Sequence, residues 1–298
     1  MGISIVKVVA AGVSGFLGSR LTNALNGAGH KVVRLVRSEP TGPDERLWNP
    51  HSGDLDSAVF DGADAVINLC GPLPGIRRWS ETYKHMMLTS RVNPTRVLAG
   101  ECARLGIPVL LNASAVGYYG ARGTEIVTEN TPPGDTFLAN LCVQWEAATA
   151  AAREADVRVV NLRTGLVLGP EGDLLKITSL LTRIGLGGRL GSGRQYWPWI
   201  SATDHIAAMM FLLTHPVDGP VNLTGPYPVT NEDFTKELGR ALHRPTPWFV
   251  PETVLHAALG EFADELVDGR RAVPAVLHEN GFEFAHRTLP EALAAELK

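Results

Sequence analysis

Three glycines spaced Gly12-x-x-Gly15-x-x-Gly18 stand between a strand-like run, Ile5-Val6-Lys7-Val8-Val9, and an amphipathic stretch, Ser19-Arg20-Leu21-Thr22-Asn23-Ala24-Leu25. Glycine at that density costs backbone entropy, and the cost is met where the chain must turn sharply or be closely approached. Gly12 supplies the turn, Gly15 the approach and Gly18 the room for helix against strand. The helix then opens with unpaired N–H groups and a partial positive charge, with Ser14, Phe16 and Leu17 completing the loop. A second strand-like run, Lys31–Val36, follows. In that setting the spacing grips the pyrophosphate of a dinucleotide.

Alternation of strand-like and helical stretches continues through Ala65–Leu69, Pro108–Asn112 and Arg158–Leu162. This rhythm predicts βαβ units in a parallel sheet. Helices are expected over residues 81–105, apart from Pro94, and over 137–155, where Leu138, Cys142 and Trp145 share a face. After Gly169-Pro170 the rhythm lapses into a glycine-rich excursion, Gly185–Gly193, ending in Tyr196-Trp197-Pro198-Trp199. A helix over 204–213 and a strand over 221–223 return the chain to the sheet, and Asn231 reads as the cap of a further helix. The expected fold is α/β: a doubly wound parallel Rossmann sheet, residues 1–169 and 200–228, with a smaller, mostly helical C-terminal lobe, residues 170–199 and 229–298.

At 298 residues with 45% hydrophobic content the chain can bury a sizeable core. A net charge of −4 leaves no footprint for nucleic acid or an anionic membrane, so a small soluble molecule is the expected partner. Cys70, Cys102 and Cys142 are few and odd in number, which points to free thiols and a cytoplasmic setting. The nine histidines and the cysteines lack metal-ligand spacing, so no metal is expected. No targeting segment or uninterrupted span of about 18 apolar residues is visible. A homodimer is an open expectation.

Where NAD-binding folds usually carry an acidic residue at the end of the second strand, this chain has Arg37 and Ser38, with Arg34 nearby. A guanidinium there would bind a 2′-phosphate, favouring NADP(H) over NAD; a solvated basic surface pair is the other reading.

Gly12-x-x-Gly15-x-x-Gly18, Ser114 in Ala113-Ser114-Ala115-Val116-Gly117-Tyr118-Tyr119-Gly120, and Arg163-Thr164-Gly165-x-Val167-x-Gly169-Pro170 together resemble an extended short-chain dehydrogenase/reductase. Arg78-Trp79-Ser80, Ser90-Arg91, Pro132-Pro133-Gly134-Asp135, Gly191-Ser192-Gly193-x-Gln195 and Gly260-Glu261-x-Ala263-Asp264 narrow the resemblance. They are similar to an atypical, NAD-dependent epimerase/dehydratase-like branch with its own C-terminal domain of unknown function. The resemblance implies NADP(H) binding, with Leu69, Gly71, Ala113 and Leu166 joining the glycine loop at the cofactor.

The usual Ser, Tyr-x-x-x-Lys and Asn set is matched only at its serine. Leu138 stands at the tyrosine position, Cys142 at the lysine position and Arg91 at the asparagine position. Ser114, Tyr118, Cys142 and Arg91 are therefore the catalytic candidates, with Ser114 and Tyr118 assigned to a substrate carbonyl. Cys142 reads either as a nucleophile or as inert packing, and Ser114 either as a substrate contact or as a partner of backbone groups. Sugar-nucleotide members of the family place a diphosphate-binding arginine where Trp197 stands, so Trp197 and Gln195 become candidates for a flatter, more apolar substrate. Trp197 reads equally as core packing. Asp204 most resembles a carboxylate at the start of a helix.

From these residues the expected function is NADP(H)-dependent oxidation or reduction of a small carbonyl or hydroxyl compound. A non-catalytic NADP(H) sensor and a sugar-nucleotide epimerase or dehydratase are the alternatives.

Overall fold

The computed structural model describes residues 6–50, 52–72 and 74–297; Ile5, at the head of the expected first strand, lies outside them. Seven strands form the main sheet: β1 (Lys7–Ala11), β2 (Lys31–Val36), β3 (Glu45–Leu47), β4 (Ala65–Asn68), β5 (Val109–Ala115), β6 (Arg158–Thr164) and β7 (Gly219–Leu223). Their order is β7-β6-β5-β4-β1-β2-β3, and every neighbouring pair is parallel. The winding reverses between β1 and β4, which opens a crevice at the carboxyl ends of those strands.

Helices cover both faces, as a buried parallel sheet requires. One face packs α1 (Phe16–Gly27) through Leu21 and Leu25 against strand residues such as Val8 and Ile67. The other packs α2 (Glu81–Leu105) through Leu98, Ala99 and Cys102. Each fully buried leucine of this kind contributes roughly 1.5–3 kcal/mol.

The helix α2 runs unbroken through Pro94. Proline removes a single N–H donor, and the Thr95 hydroxyl donates to the Arg91 carbonyl at 2.8 Å in the same turn while the helix face stays buried. The expected helix over 137–155 is instead two: α3 (Phe137–Ala147) and a short helix, Ala150–Glu154. Between them the Thr149 hydroxyl donates to the Glu146 carbonyl at 2.7 Å and competes with the helical ladder.

The excursion lies outside the sheet and carries a helix the sequence did not announce, α4 (Asp173–Arg183). Its glycine-rich part pairs in short two-stranded ribbons, Gly188–Leu190 with Trp248–Val250 and Tyr196–Trp197 with Val229–Thr230. Two caps differ from expectation. Ser201, not Asp204, caps α5 (Ala202–Thr214); the Asp204 carboxylate instead accepts the backbone N–H groups of Ala285 and His286 at 2.7 and 3.0 Å, tying the C-terminal segment to the sheet domain. Thr230, not Asn231, caps α6 (Asn231–Ala241), and Asn231 accepts the Leu190 N–H at 2.8 Å. Trp197, Trp199, Phe234, Leu238 and Leu293 share one apolar core with Leu168, forming a smaller second lobe, whereas Leu277 and Phe282 pack into the core of the main sheet. Among the described residues, no helix is long and apolar enough to cross a membrane.

Candidate functional site

The glycine loop sits at the crevice between β1 and β4. Gly12 has φ +73, and a side-chain carbon there would fall 2.5 Å from the Leu69 carbonyl carbon, so only glycine lets the loop lie against the end of β4. A side-chain carbon on Gly18 would meet Val13 Cα at 2.2 Å, which locks the helix to the turn. Gly15 differs: it caps α1 with no side-chain hydrogen bond, and nothing lies within 4 Å of where a side chain would project. The first turn of α1 holds no acidic residue. The result is an open cradle of unpaired N–H groups, and it fits a pyrophosphate. The Phe16 ring closes one side by packing on Gly169 and Gly172, and Leu17 packs into the core below. Ser14 is exposed.

At the end of β2, Arg34 is taken by an ion pair with Glu45 at 2.7 Å. Arg37 and Ser38 are exposed, and among the described residues Arg37 makes no ion pair. Arg37 acts electrostatically on Cys70, beyond the end of β4; burial pushes that thiol up to about 12 and the guanidinium opposes it. Its position suits a ribose phosphate bound beside the crevice.

A ladder of buried amides, absent from the sequence reading, sets the floor. Asn68 Nδ2 donates to Asn112 Oδ1 and to Thr95 Oγ1, both at 2.8 Å, and Asn112 Nδ2 donates to Asn161 Oδ1 at 3.2 Å. Asn68 Oδ1 also accepts the Cys70 N–H at 3.1 Å, which shapes the Leu69–Gly71 turn. Ala113 is half-buried near the carboxyl end of β5, and Leu166 is half-buried just beyond β6, where it opens a short strand, Leu166–Leu168, paired with Trp199–Ser201.

Ser114, near the end of β5, donates its hydroxyl to Glu146 Oε1 at 2.6 Å. Glu146 is held from the other side by Arg163, with Nε to Oε1 and Nη2 to Oε2 both at 2.9 Å. Burial lowers the Arg163 pKa, and the Glu146 hydrogen bonds and charge outweigh it, holding the guanidinium above its usual range. The same guanidinium donates to the Tyr119 hydroxyl at 3.1 Å and to the Glu129 carbonyl at 3.2 Å, and lies 3.5 Å from the Tyr118 ring centroid. Tyr119, pushed up to about 12 by burial, donates to Asn222 at 2.6 Å. Ser114 and Tyr118 thus share one charged network. Sequence reasoning passed over Glu146, although it follows Leu138 and Cys142 on the same helical face at successive intervals of four.

Arg91 is buried and donates to the carbonyls of Met87 at 2.8 Å and Pro72 at 2.5 Å, fixing the loop after Gly71; burial pulls its pKa down. Cys142 is enclosed by Met87, Leu141 and Trp145, and burial pushes its thiol up to about 12, which disfavours a nucleophilic thiolate. Trp197 is 4% exposed with its ring centroid 5.1 Å from that of Phe234, inside the core of the lobe. Gln195 donates to the carbonyls of Leu190 and Leu266 at 2.9 and 3.0 Å and fastens the excursion to that lobe.

A doubly wound sheet with a glycine cradle that has no side-chain cap at the end of β1, and a buried serine near the end of β5, defines a dinucleotide-dependent class of protein. The chain belongs to the NAD dependent epimerase/dehydratase family, whose model matches residues 8–224; residues 250–296 match a domain of unknown function, DUF1731. It is 50% identical over 288 residues to an epimerase family protein of Mycobacterium bovis, covering 96% of each chain. A crystal structure of the human epimerase family protein SDR39U1 with NADPH is similar at TM-score 0.88 and 32% identity, covering 97% of this chain and 98% of that one. The nucleoside-diphosphate sugar epimerase of Corynebacterium glutamicum is similar at TM-score 0.81 and 33% identity over 99% of this chain, which spans 58% of that longer protein.

Proposed function

We propose that the chain is an NADP(H)-dependent enzyme of epimerase/dehydratase type acting on a hydroxyl-bearing, sugar-nucleotide-like substrate. The observation that carries this reading is the direction of the Ser114 hydrogen bond. With Arg163 against it, the Glu146 carboxylate only accepts, so it takes the Ser114 hydrogen and leaves the Ser114 oxygen with free lone pairs. An oxygen so arranged receives a hydrogen bond from a substrate hydroxyl and cannot give one to a carbonyl. This moves the assignment away from the carbonyl expected of Ser114 and Tyr118, and from a reductase of simple organic ketones. The nucleoside-diphosphate sugar epimerase among the similar structures agrees with a polyhydroxylated substrate.

NADP(H) is the cofactor: the human relative was crystallised with NADPH, and Arg37 stands where NAD-specific folds place an acid. When bound, it supplies or takes a hydride. The α1 N-terminus holds the pyrophosphate, Arg37 and Ser38 the 2′-phosphate, and Ser114 orients the reacting hydroxyl. Trp197 is committed to packing, so a diphosphate would need another cation; Arg194, exposed in the Gly191–Gln195 turn, has no ion pair among the described residues. Leu138 and Cys142 in place of tyrosine and lysine favour a second reading, a protein that holds NADP(H) without turnover.

The test is to mix NADP+-loaded protein with a panel of nucleoside-diphosphate hexoses, following the sugar product by NMR because an epimerase or dehydratase returns its hydride and leaves no net change at 340 nm, and with simple ketones plus NADPH, following absorbance at 340 nm. A signal with the hexoses that Ser114→Ala reduces about a hundredfold, at unchanged cofactor affinity, is expected. Turnover of ketones alone overturns the hydroxyl assignment, and tight NADPH binding with no turnover favours the second reading. Arg37→Ala is expected to weaken NADP(H) binding by about 1.5 kcal/mol, roughly tenfold, and NAD(H) binding far less. Titration calorimetry with both cofactors checks this, and equal losses refute the 2′-phosphate role.

A further inference from the structure

The helix α4 carries a second apolar face that points away from the core. Its buried positions are Leu175, Ser179 and Thr182, while Ile177, Leu180, Leu181 and Ile184 follow the i, i+3, i+4, i+7 pattern of an apolar stripe and face solvent. Leu180 is 59% exposed and Ile184 60%, whereas Ser179 and Thr182 are 8% and 2% exposed. Leu186 and Trp248 extend the patch, and the Trp248 indole is pinned by its N–H to the Gly185 carbonyl at 2.8 Å. A helix that seats Leu174 and Leu175 inward at its start but turns Ser179 and Thr182 inward and Leu180 and Leu181 outward along its second half is built to be covered on the outer side too.

The adjoining strand edge does not supply the partner site. Val250 gives its carbonyl to Gly191, so residues 247, 249 and 251 alternate outward, and Pro247 and Pro251 have no N–H to offer. Contact must come through the helix face. Its charges indicate what covers it: α4 begins with Asp173 and ends with Arg183, both exposed and, among the described residues, in no ion pair. Antiparallel packing of the stripe on an identical stripe would set each acidic start toward the other's basic end and align the two helix dipoles head to tail.

We propose that the α4 stripe, with Leu186 and Trp248, is the face through which a second copy of this chain docks, the two α4 helices running antiparallel across a two-fold axis.

The full chain, studied by sedimentation velocity across a concentration series, is expected at twice its 32.0 kDa mass. Leu180→Glu/Ile184→Glu is expected to be monomeric, with circular dichroism and NADPH binding unchanged because both positions are exposed. Arg183→Asp alone should weaken the dimer roughly tenfold by placing like charges together at two symmetric contacts. The reciprocal double variant Asp173→Arg/Arg183→Asp should restore it. A monomeric native chain at every concentration overturns the proposal, as does a dimer indifferent to Leu180→Glu/Ile184→Glu. Failure of the double variant to recover what Arg183→Asp loses overturns the antiparallel arrangement. These readouts use no turnover, so they stand apart from the test of the catalytic reading.

Discussion

Arg163→Met is expected to destabilise the protein by about 3–5 kcal/mol, the cost of removing one partner from a buried ion pair. Arg163 is 3% exposed and makes hydrogen bonds to Glu146, Tyr119 and the Glu129 carbonyl. Methionine fills the volume and satisfies none of them. It strands the Glu146 carboxylate with Ser114 as its remaining side-chain partner, and removes the cation beneath the Tyr118 ring. Urea unfolding measures the loss. The double variant Arg163→Met/Glu146→Gln should recover part of it, because a neutral amide costs less to bury than an unpaired carboxylate. If the two changes simply add, the pair is not coupled and Ser114 is not oriented by it. The charged network therefore links stability to function: the contacts that make Arg163 costly to lose also fix which way the Ser114 hydrogen points.

Most of the sheet was legible because its strands are buried on both faces and read as runs of Val, Ile and Leu. The edge strand β3 was not. Glu45-Arg46-Leu47 has no apolar pattern, and it is held by parallel pairing to β2 and by the Arg34–Glu45 ion pair. The helix α4 escaped for the opposite reason, since its apolar stripe is present but points outward, beyond a glycine-rich run that suggested irregular chain. At the site, the cradle was legible because glycine spacing is a local signal. Glu146 and Arg163 lie 17 residues apart on a helix and a strand, and only the sheet brings them together. The missing tyrosine and lysine also fall at positions 138 and 142, two turns and one turn short of the carboxylate that engages Ser114.

Gly15→Asp is expected to abolish useful NADP(H) binding, a loss of about a hundredfold or more, while leaving the fold intact or slightly more stable. The two effects separate because Gly15 has ordinary extended geometry, φ −87 and ψ −175, and open space where the side chain would go. An aspartate there caps α1 and meets its positive end, together worth about 0.5 kcal/mol of stability. The same carboxylate fills the cradle and takes the N–H groups that a pyrophosphate would use, and it repels the incoming phosphates at close range. Gly18→Ala makes the contrast: its methyl would sit 2.2 Å from Val13 Cα, so it should lower stability by about 1–3 kcal/mol and affect binding only through the distorted turn. Thermal unfolding and calorimetric titration with NADPH on both variants distinguish the roles. If Gly15→Asp binds NADPH as tightly as the native chain, the helix N-terminus does not hold the cofactor, and Arg37 and Ser114 lose the common ligand that relates them.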